Sequence, residues 1–126
     1  MLQVQTIFRV TDNSGARKAK CIKVLGGFKK KYANIGSLIV VSIRDVKLHK
    51  KKKIKIKEGD VAHAVVVRTK AKAYRLNFSS YVLKENAVVI LTKKKKPIAT
   101  RVKGSVPFEL RYTKFLKVAL IASGFI

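Results

Sequence analysis

The sequence predicts a mainly β fold, either a closed barrel or a sandwich, with a helical segment near the C-terminus. Two observations lead to this prediction. Five short runs of β-branched and other apolar residues follow one another at regular spacing, separated by turn-forming residues, which is typical of barrels and sandwiches. After about residue 105 the apolar residues change from a period near two to a helical period. A chain of 126 residues is expected to form one domain, from 1 to 126, whose helical segment spans about 105 to 122.

The first two predicted strands lie on either side of a turn. The run 6–10 ends at the cluster 11–15, in which Asp, Asn, Ser and Gly are typical turn formers. From 18 to 25 basic residues alternate with apolar ones, a period close to two that indicates a half-exposed strand ended by a Gly-Gly pair. Cys21 lies within this strand. A lone cysteine in an apolar run is expected to be a buried hydrophobe without special reactivity.

Three further strands are predicted later in the chain. The run 37–46 is rich in β-branched residues, and the runs 61–69 and 87–91 share this character. A Glu-Gly-Asp turn signal at 58–60 precedes the second of these runs. Between the last two, 73–83 is predicted to form a hairpin around an Asn-Phe-Ser-Ser turn that lacks the usual glycine.

The C-terminal segment is predicted to be helical in two pieces, 106–111 and 113–122. Ser105 and Pro107 suit the start of the first helix, and Thr113 suits the N-cap of the second. The helical spacing of five apolar residues predicts that they pack on the barrel: Phe115, Leu116, Val118, Ala119 and Leu120.

The charge balance predicts a polyanionic partner. Thirty Lys and Arg residues against six Asp and Glu give a formal net charge of +24, although 48% of the residues are hydrophobic. A folded domain with this charge repels itself unless a polyanion neutralises it. The cations concentrate in inter-strand segments, where they can reach phosphates: 29–31, 50–57, 70–75 and 93–96. A nucleic acid is therefore the predicted partner, and RNA recognised through its backbone and shape is favoured, because aromatic residues make up only 8% of the chain.

Other classes of protein find little support in the sequence. The six acidic residues are scattered, and His49 and His63 lie far apart, so we expect no enzymatic activity, no metal site and no cofactor. The chain has neither zinc-ligand spacing nor the basic heptad helix of a double-helix reader. Lysines interrupt every apolar run, and no amphipathic basic helix is evident, so no membrane association is predicted.

Motifs distributed over the whole chain suggest a family. In chain order they are 12–17 (DNSGAR), 21–27 (CIKVLGG), 59–61 (GDV) with 64–70 (AVVVRTK), 97–102 (PIATRV), and 109–111 (ELR) with 114–117 (KFLK). Together they resemble the universal ribosomal large-subunit protein fourteen family. The resemblance implies a closed five-stranded β-barrel with a protruding β-hairpin and small C-terminal α-helices. It also implies a structural constituent of the large ribosomal subunit and not an enzyme.

The resemblance further implies a set of partners. The protein is expected to bind large-subunit rRNA at the subunit interface, to bridge to small-subunit rRNA, and to pack against neighbouring ribosomal proteins three and nineteen. A ribosome-silencing factor is expected to dock on the surface around Thr100, Arg101 and Lys117. The residues expected to bind rRNA combine motif positions with the basic clusters: Asn13, Ser14, Arg17, Lys18, Lys29, Lys30, Lys31, Lys50, Lys51, Lys52, Lys53, Arg68, Lys70, Lys72, Arg75, Lys93, Lys94, Arg101 and Arg111.

Two segments depart from the family pattern. The segment 76–79 stands where the family usually has Pro-Asp-Gly-Ser, and the lysine run 50–57 is longer than its bacterial counterpart and is expected to extend into extra rRNA or an added protein. The divergent hairpin, together with the high charge and the preference for Lys over Arg, predicts a mitochondrial version in the matrix. Because the chain starts directly at the family motif, we expect it to be encoded in the organelle. A bacterial cytoplasmic or a plastid protein stays open.

A free-standing small-barrel RNA-binding protein or chaperone is the alternative function. Such a protein stacks bases on exposed aromatic side chains. Four loop aromatics are candidates for that role, although we expect them to anchor their loops on the barrel: Phe28, Tyr32, Tyr74 and Phe78.

Overall fold

The computed structural model describes residues 2–47 and 56–126. In chain order its elements are β1 (Ile7–Val10), β2 (Ala16–Val24), β3 (Leu38–Val46), β4 (Val61–Arg68), β5 (Ala73–Tyr74), β6 (Ser80–Tyr81), β7 (Ala87–Leu91), β8 (Val102–Val106), a 3₁₀ helix (Phe108–Tyr112), α1 (Leu116–Leu120) and β9 (Ala122–Phe125). Five strands close into a barrel in the order β1-β2-β3-β4-β7. Neighbouring strands are antiparallel except β1 and β7, whose parallel pairing closes the barrel. The predicted five-stranded barrel is confirmed, and the strand bounds differ from prediction by at most two residues.

Strand β7 and the part of β4 from Ala64 onward are buried on both faces, which explains their continuous apolar runs. Side chains of successive strand residues point to opposite faces of a sheet. One set of alternating residues fills the barrel interior: Ala64, Val66, Val88 and Ile90. The other set packs beneath the C-terminal segment: Val65, Val67, Val89 and Leu91. The C-terminal segment therefore covers a second core that the barrel alone would leave in water.

The C-terminal segment differs from the prediction. Strand β8 pairs in parallel with β9, so Ser105 is a strand residue and not a helix start. Pro107 is extended (φ −61°, ψ 139°) and lacks an N–H, so it separates β8 from the 3₁₀ helix that replaces the first predicted α-helix. Thr113 is also extended (φ −93°, ψ 172°), and α1 is the one α-helix among the described residues.

Three of the five apolar residues that were predicted to pack on the barrel are buried. Phe115, Val118 and Ala119 are buried in the second core, whereas Leu116 and Leu120 are exposed. Because five residues make little more than one helical turn, α1 can bury only a narrow stripe of side chains.

The predicted hairpin forms from β5 and β6, which pair antiparallel. Asn77 stabilises this turn, which lacks the usual glycine, because its side-chain oxygen accepts hydrogen bonds from the Ser79 N–H (3.1 Å) and hydroxyl (2.6 Å). Phe78 takes a left-handed conformation (φ 63°) that is unfavourable for a bulky residue. The turn therefore keeps its shape at the cost of some strain.

Candidate nucleic-acid interface

A groove of about 700 Å³ opens on the barrel surface where β1, the start of β2, the end of β3 and β8 approach one another. Seven cationic side chains line it: Arg9, Arg17, Lys18, Lys47, Arg68, Lys70 and Lys103. Two carboxylates, Asp12 and Glu85, lie in the same wall. This constellation, called the cationic groove below, is drawn from six separate parts of the chain.

A β-bulge in β2 turns two consecutive cations outward. The pairing of β2 with β3 shifts register between Ala16 and Lys18 and again between Lys18 and Ala19. In a regular strand Arg17 and Lys18 would face opposite sides, but here both are exposed while Ala16 and Ala19 are buried. The bulge thus places two adjacent charges at the edge of the groove.

The turn between β1 and β2 is held by a buried carboxylate. One oxygen of Asp12 accepts hydrogen bonds from the Ser14 N–H (3.0 Å) and from the Ser14 hydroxyl, and its other oxygen accepts from the Ile90 N–H (2.9 Å). Burial raises the pKa of Asp12, although these hydrogen bonds oppose the rise. Ser14, predicted to bind rRNA, is buried and bonded to Asp12.

The same turn positions two lysines. The Lys47 N–H donates to the Gly15 carbonyl (2.7 Å), and the Lys103 N–H donates to the Thr11 carbonyl (2.7 Å). Lys47 follows the end of β3 and Lys103 belongs to β8, so two distant parts of the chain are fixed to the two ends of one turn. Their side chains consequently enter the groove from neighbouring positions.

Arg68 is an internal residue of the groove wall. Its side chain is 11% exposed, and its guanidinium donates to the Ser105 carbonyl (2.8 Å), to the Lys103 carbonyl and to Glu85 (2.6 Å). A Cβ at Gly104, which has φ +79°, would overlap this guanidinium, so the close approach of β8 requires a glycine. With its donors used within the protein, Arg68 belongs to the support of the groove, and we leave it out of the proposed RNA contacts.

Glu85 joins the internal arginine to an external one. It also accepts a hydrogen bond from Arg9 (2.9 Å), whose side chain is 71% exposed. Arg9 is therefore oriented at the groove rim by the carboxylate that neutralises Arg68. The prediction from the sequence did not include Arg9, Lys47 or Lys103, because all three lie outside the four basic clusters and outside the family motifs.

The groove carries an excess of positive charge. Within 2–47 and 56–126, no carboxylate lies within ion-pair distance of Lys18, Lys47, Lys70 or Lys103. The positive charge of Lys103, together with partial burial, the side-chain contact with Lys103 and the charges of Arg17 and Arg9, lowers the pKa of Lys47. The groove therefore favours an anion on electrostatic grounds.

The side-chain amide of Asn13 is bonded within the protein, and it positions the residues around Thr100. Its side-chain oxygen accepts hydrogen bonds from the backbone N–H groups of Thr100 (3.0 Å) and Arg101 (3.2 Å), and its amide donates to the Thr100 hydroxyl (2.9 Å). The exposed pair Thr100 and Arg101 is thus held against the β1–β2 turn. Lys117 is exposed on α1, whose following residue Ile121 accepts a hydrogen bond from the N–H of Val102.

Several other predicted cations lie outside the groove and beside aromatic rings. Arg75 pairs with Glu109 (2.5 Å), and its guanidinium lies 4.6 Å from the centre of the Tyr81 ring. The Arg111 guanidinium lies over Phe108. Two lysines stack in a similar way on exposed rings, Lys29 on Phe28 and Lys72 on Tyr74.

The remaining predicted lysines form exposed loops. Lys30 and Lys31 lie between β2 and β3, and Lys93 and Lys94 lie between β7 and β8. Four predicted residues lie outside the described part of the chain: Lys50, Lys51, Lys52 and Lys53. The structure therefore brings Arg17, Lys18, Arg68 and Lys70 together in the groove, with Arg68 inside its wall, and the other predicted cations of the described residues lie elsewhere.

An apolar groove of about 830 Å³ lies on another face, between the hairpin and the C-terminal segment. Its lining, called the hairpin face below, includes the exposed side chains of Tyr74, Leu76, Phe108, Tyr112 and Phe125. The one cation in this lining, Arg75, is paired with Glu109. The hairpin face thus has the chemistry of a protein contact more than that of a phosphate contact.

The described residues contain no group of three or more His, Cys, Asp or Glu arranged to hold a metal ion. His63 is half-buried in β4, and His49 lies outside the described residues. Cys21 is buried as predicted, and this burial raises its pKa. In the same part of the chain no helix is both long and apolar enough to cross a bilayer.

The family model of ribosomal protein L14p/L23e matches residues 1–126, which is the whole chain. The chain belongs to this family of ribosomal proteins.

Proposed function

We propose that this member of the ribosomal protein L14p/L23e family is a structural constituent of the large ribosomal subunit that binds rRNA through its cationic groove and lysine-rich loops. The observation that carries the proposal is the concentration of unneutralised cations in a preformed groove of a family member. Lysines neutralise backbone phosphates and arginines add bidentate contacts, so affinity should come mainly from the backbone. No catalytic role is proposed.

The contacts at the subunit interface are part of this proposal. Exposed lysine loops, such as 29–31 and 93–96, suit a bridge to small-subunit rRNA because they extend from the barrel without acidic partners in the described residues. The apolar hairpin face suits packing against a neighbouring ribosomal protein, and proteins three and nineteen are the proposed neighbours. Leu76 is fully exposed (101%), so such packing would remove a large apolar side chain from water.

A surface for a ribosome-silencing factor is proposed around Thr100, Arg101 and Lys117. Its support is local order: Asn13 holds the first two residues, and the backbone bond from Val102 to Ile121 ties this turn to the end of α1. Arg101→Ala is expected to weaken binding of the factor to purified large subunits. Unchanged binding would remove this surface from the proposal.

We also propose a mitochondrial protein, as one domain in the matrix ribosome. The support is the lysine-rich composition and the divergent hairpin turn, in which Phe78 has a strained left-handed backbone. Organelle fractionation of source cells tests this point directly. Recovery with cytoplasmic or plastid ribosomes would contradict the mitochondrial assignment without affecting the role in the ribosome.

Sedimentation of a tagged copy in native extract, at increasing salt, is the primary test. The protein should migrate with the large subunit and be released by high salt or by RNase, because phosphate contacts weaken steeply with salt. A slowly sedimenting pool at physiological salt would contradict the proposed function.

A free-standing RNA-binding protein is the second candidate, and one observation favours it. Phe28 and Phe78 are 93% and 97% exposed, and Tyr74 is also exposed, so these aromatics do not anchor their loops as expected. Exposed rings among cations are able to stack bases. Replacing Phe28 and Phe78 by Leu should weaken binding of single-stranded RNA if this candidate is correct, while leaving ribosome association unchanged.

A further inference from the structure

Lys47 and Lys103 lie next to each other in the cationic groove, although no sequence motif connects them. We propose that the groove is a discrete phosphate site, in which Lys47 and Lys103, with Arg9 and Arg17 at the rim, hold a backbone phosphate of an RNA strand. The inference rests on the proposed function and adds to it. It assigns one ordered anion site, made of residues outside the lysine runs, to a protein whose charge is otherwise spread over its surface.

The first argument is preorganisation. Lys47 and Lys103 are fixed through their backbone N–H groups to the Gly15 and Thr11 carbonyls of one turn. The turn is itself held by the buried carboxylate of Asp12. Little conformational entropy of the backbone remains to be lost on binding, in contrast to a lysine in an exposed loop.

The second argument is electrostatic. Lys47, Lys103, Arg9 and Arg17 line one groove, and their positive charges repel one another in the free protein, which lowers the pKa of Lys47, chiefly through Lys103. In this groove both carboxylates are already engaged, because Glu85 is bonded to Arg68 and Arg9, and Asp12 faces the turn and β7. Among the described residues Asp45, outside the groove lining, pairs with Arg17 alone at 3.8 Å. A bound anion would supply the negative charge that the lysines of the groove lack.

The third argument concerns which anion fits. A phosphate group offers several oxygens in a tetrahedral arrangement, so it can accept hydrogen bonds from two lysine ammonium groups and from the planar fork of an arginine at once. The groove volume of about 700 Å³ falls in the range of small-ligand sites, about 300–1,000 Å³, so it admits a nucleotide-sized portion of a strand. Free phosphate and the RNA backbone share this chemistry, and the experiment below separates them.

The first arm of the experiment uses the isolated full chain and pyrophosphate as the probe. Pyrophosphate should raise the unfolding temperature above that in sodium chloride of equal ionic strength. In the double variant Lys47→Gln/Lys103→Gln this shift should be lost, with an apparent Kd at least about tenfold weaker. Where the chain is unfolded in low salt, the same titration is followed as the recovery of folded circular dichroism signal.

The matched control is Lys23→Gln/Lys114→Gln. Both lysines are exposed and lie outside the groove, and the control loses the same two charges. It should keep the pyrophosphate shift. Equal shifts in the groove variant and the control would overturn the site, because they would show that only net charge matters.

The second arm measures release of each variant from large subunits by salt. If the site holds rRNA, the groove variant should be released at lower salt than the control variant. A groove variant that loses the pyrophosphate shift but is released like the control would reject RNA as the source of the phosphate. Failure of all variants, including the wild type, to sediment with the large subunit would instead reject the proposed function.

Discussion

Replacing Arg68 by Met tests whether this guanidinium stabilises the fold or binds RNA. The substitution keeps an unbranched apolar stem but removes donors to the Ser105 and Lys103 carbonyls and to Glu85. Hydrogen bonds from charged groups contribute about 1.5–3 kcal/mol each, and breaking a buried ion pair costs about 3–5 kcal/mol. Glu85 is 28% exposed and keeps Arg9 as a partner, so we expect a loss near the lower end, about 3 kcal/mol.

The assay is urea unfolding of the isolated chain, supported by thermal unfolding. For a domain of this size about 3 kcal/mol corresponds to a fall in Tm of roughly 12 °C. The control is Arg17→Met, which removes an exposed guanidinium with a single 3.8 Å contact to Asp45 and should change stability by less than about 0.5 kcal/mol. If Arg68→Met were as stable as Arg17→Met and yet bound RNA more weakly, the assignment of Arg68 to the support of the groove would be wrong.

Three further predictions concern the turn, the hairpin and the C-terminal segment. Asp12→Asn leaves one side-chain oxygen to accept the hydrogen bonds that Ser14 and the Ile90 N–H now donate to two. The free energy of unfolding, measured in urea, should fall by about 1–3 kcal/mol, whereas Asp45→Asn should have little effect. Burial raises the pKa of Glu109, but the hydrogen bond and the charge of Arg75 lower it more, so the pKa lies below its usual 4.5. The contribution of Glu109 to stability should therefore be present above pH 4.5 and be lost on acidification. Glu109→Gln should therefore flatten the acid side of the stability profile, and an unchanged profile would contradict this role. Phe78→Gly removes a strained left-handed phenylalanine and should raise Tm slightly, by the equivalent of about 0.5–1 kcal/mol; a fall in Tm would show that the ring packs on the protein.

The barrel was predictable because its strands obey local rules. In β2 the alternation of basic and apolar residues reports a half-exposed strand, and the Asp-Asn-Ser-Gly cluster before it forms the expected turn, with Gly15 at φ 103°. The C-terminal segment was less predictable because its apolar spacing fits a helix and a strand equally over so few residues. Pairing of β8 with β9 joins residues about twenty positions apart, and no local pattern reports such a contact.

The candidate site was predictable in its chemistry but not in its location. Net charge and four lysine-rich segments indicate a polyanion, and no fold is needed to see them. Local charge density, however, cannot distinguish a cation that is free from one that is used inside the protein. The family motif predicts rRNA binding for Arg68 and the basic cluster 70–75 predicts it for Arg75, whereas the structure pairs these arginines with Glu85 and Glu109, which are 17 and 34 residues away.

The converse holds for the lysines that the sequence did not single out. Lys47 and Lys103 lie far apart in the sequence, and the structure brings both to the turn between β1 and β2, to which their backbone N–H groups are bonded. A charge in a long exposed loop destabilises the free protein little, since solvent and salt screen its repulsion from other charges. Two cations held together by backbone hydrogen bonds reduce the stability of the free protein, by about 0.5 kcal/mol on the scale of like-charged surface pairs. Lys47→Gln/Lys103→Gln should accordingly be slightly more stable than the wild type without phosphate and less stable than the wild type with it. This reversal is expected of a binding site, because a purely structural role for the two lysines would change stability in the same direction under both conditions.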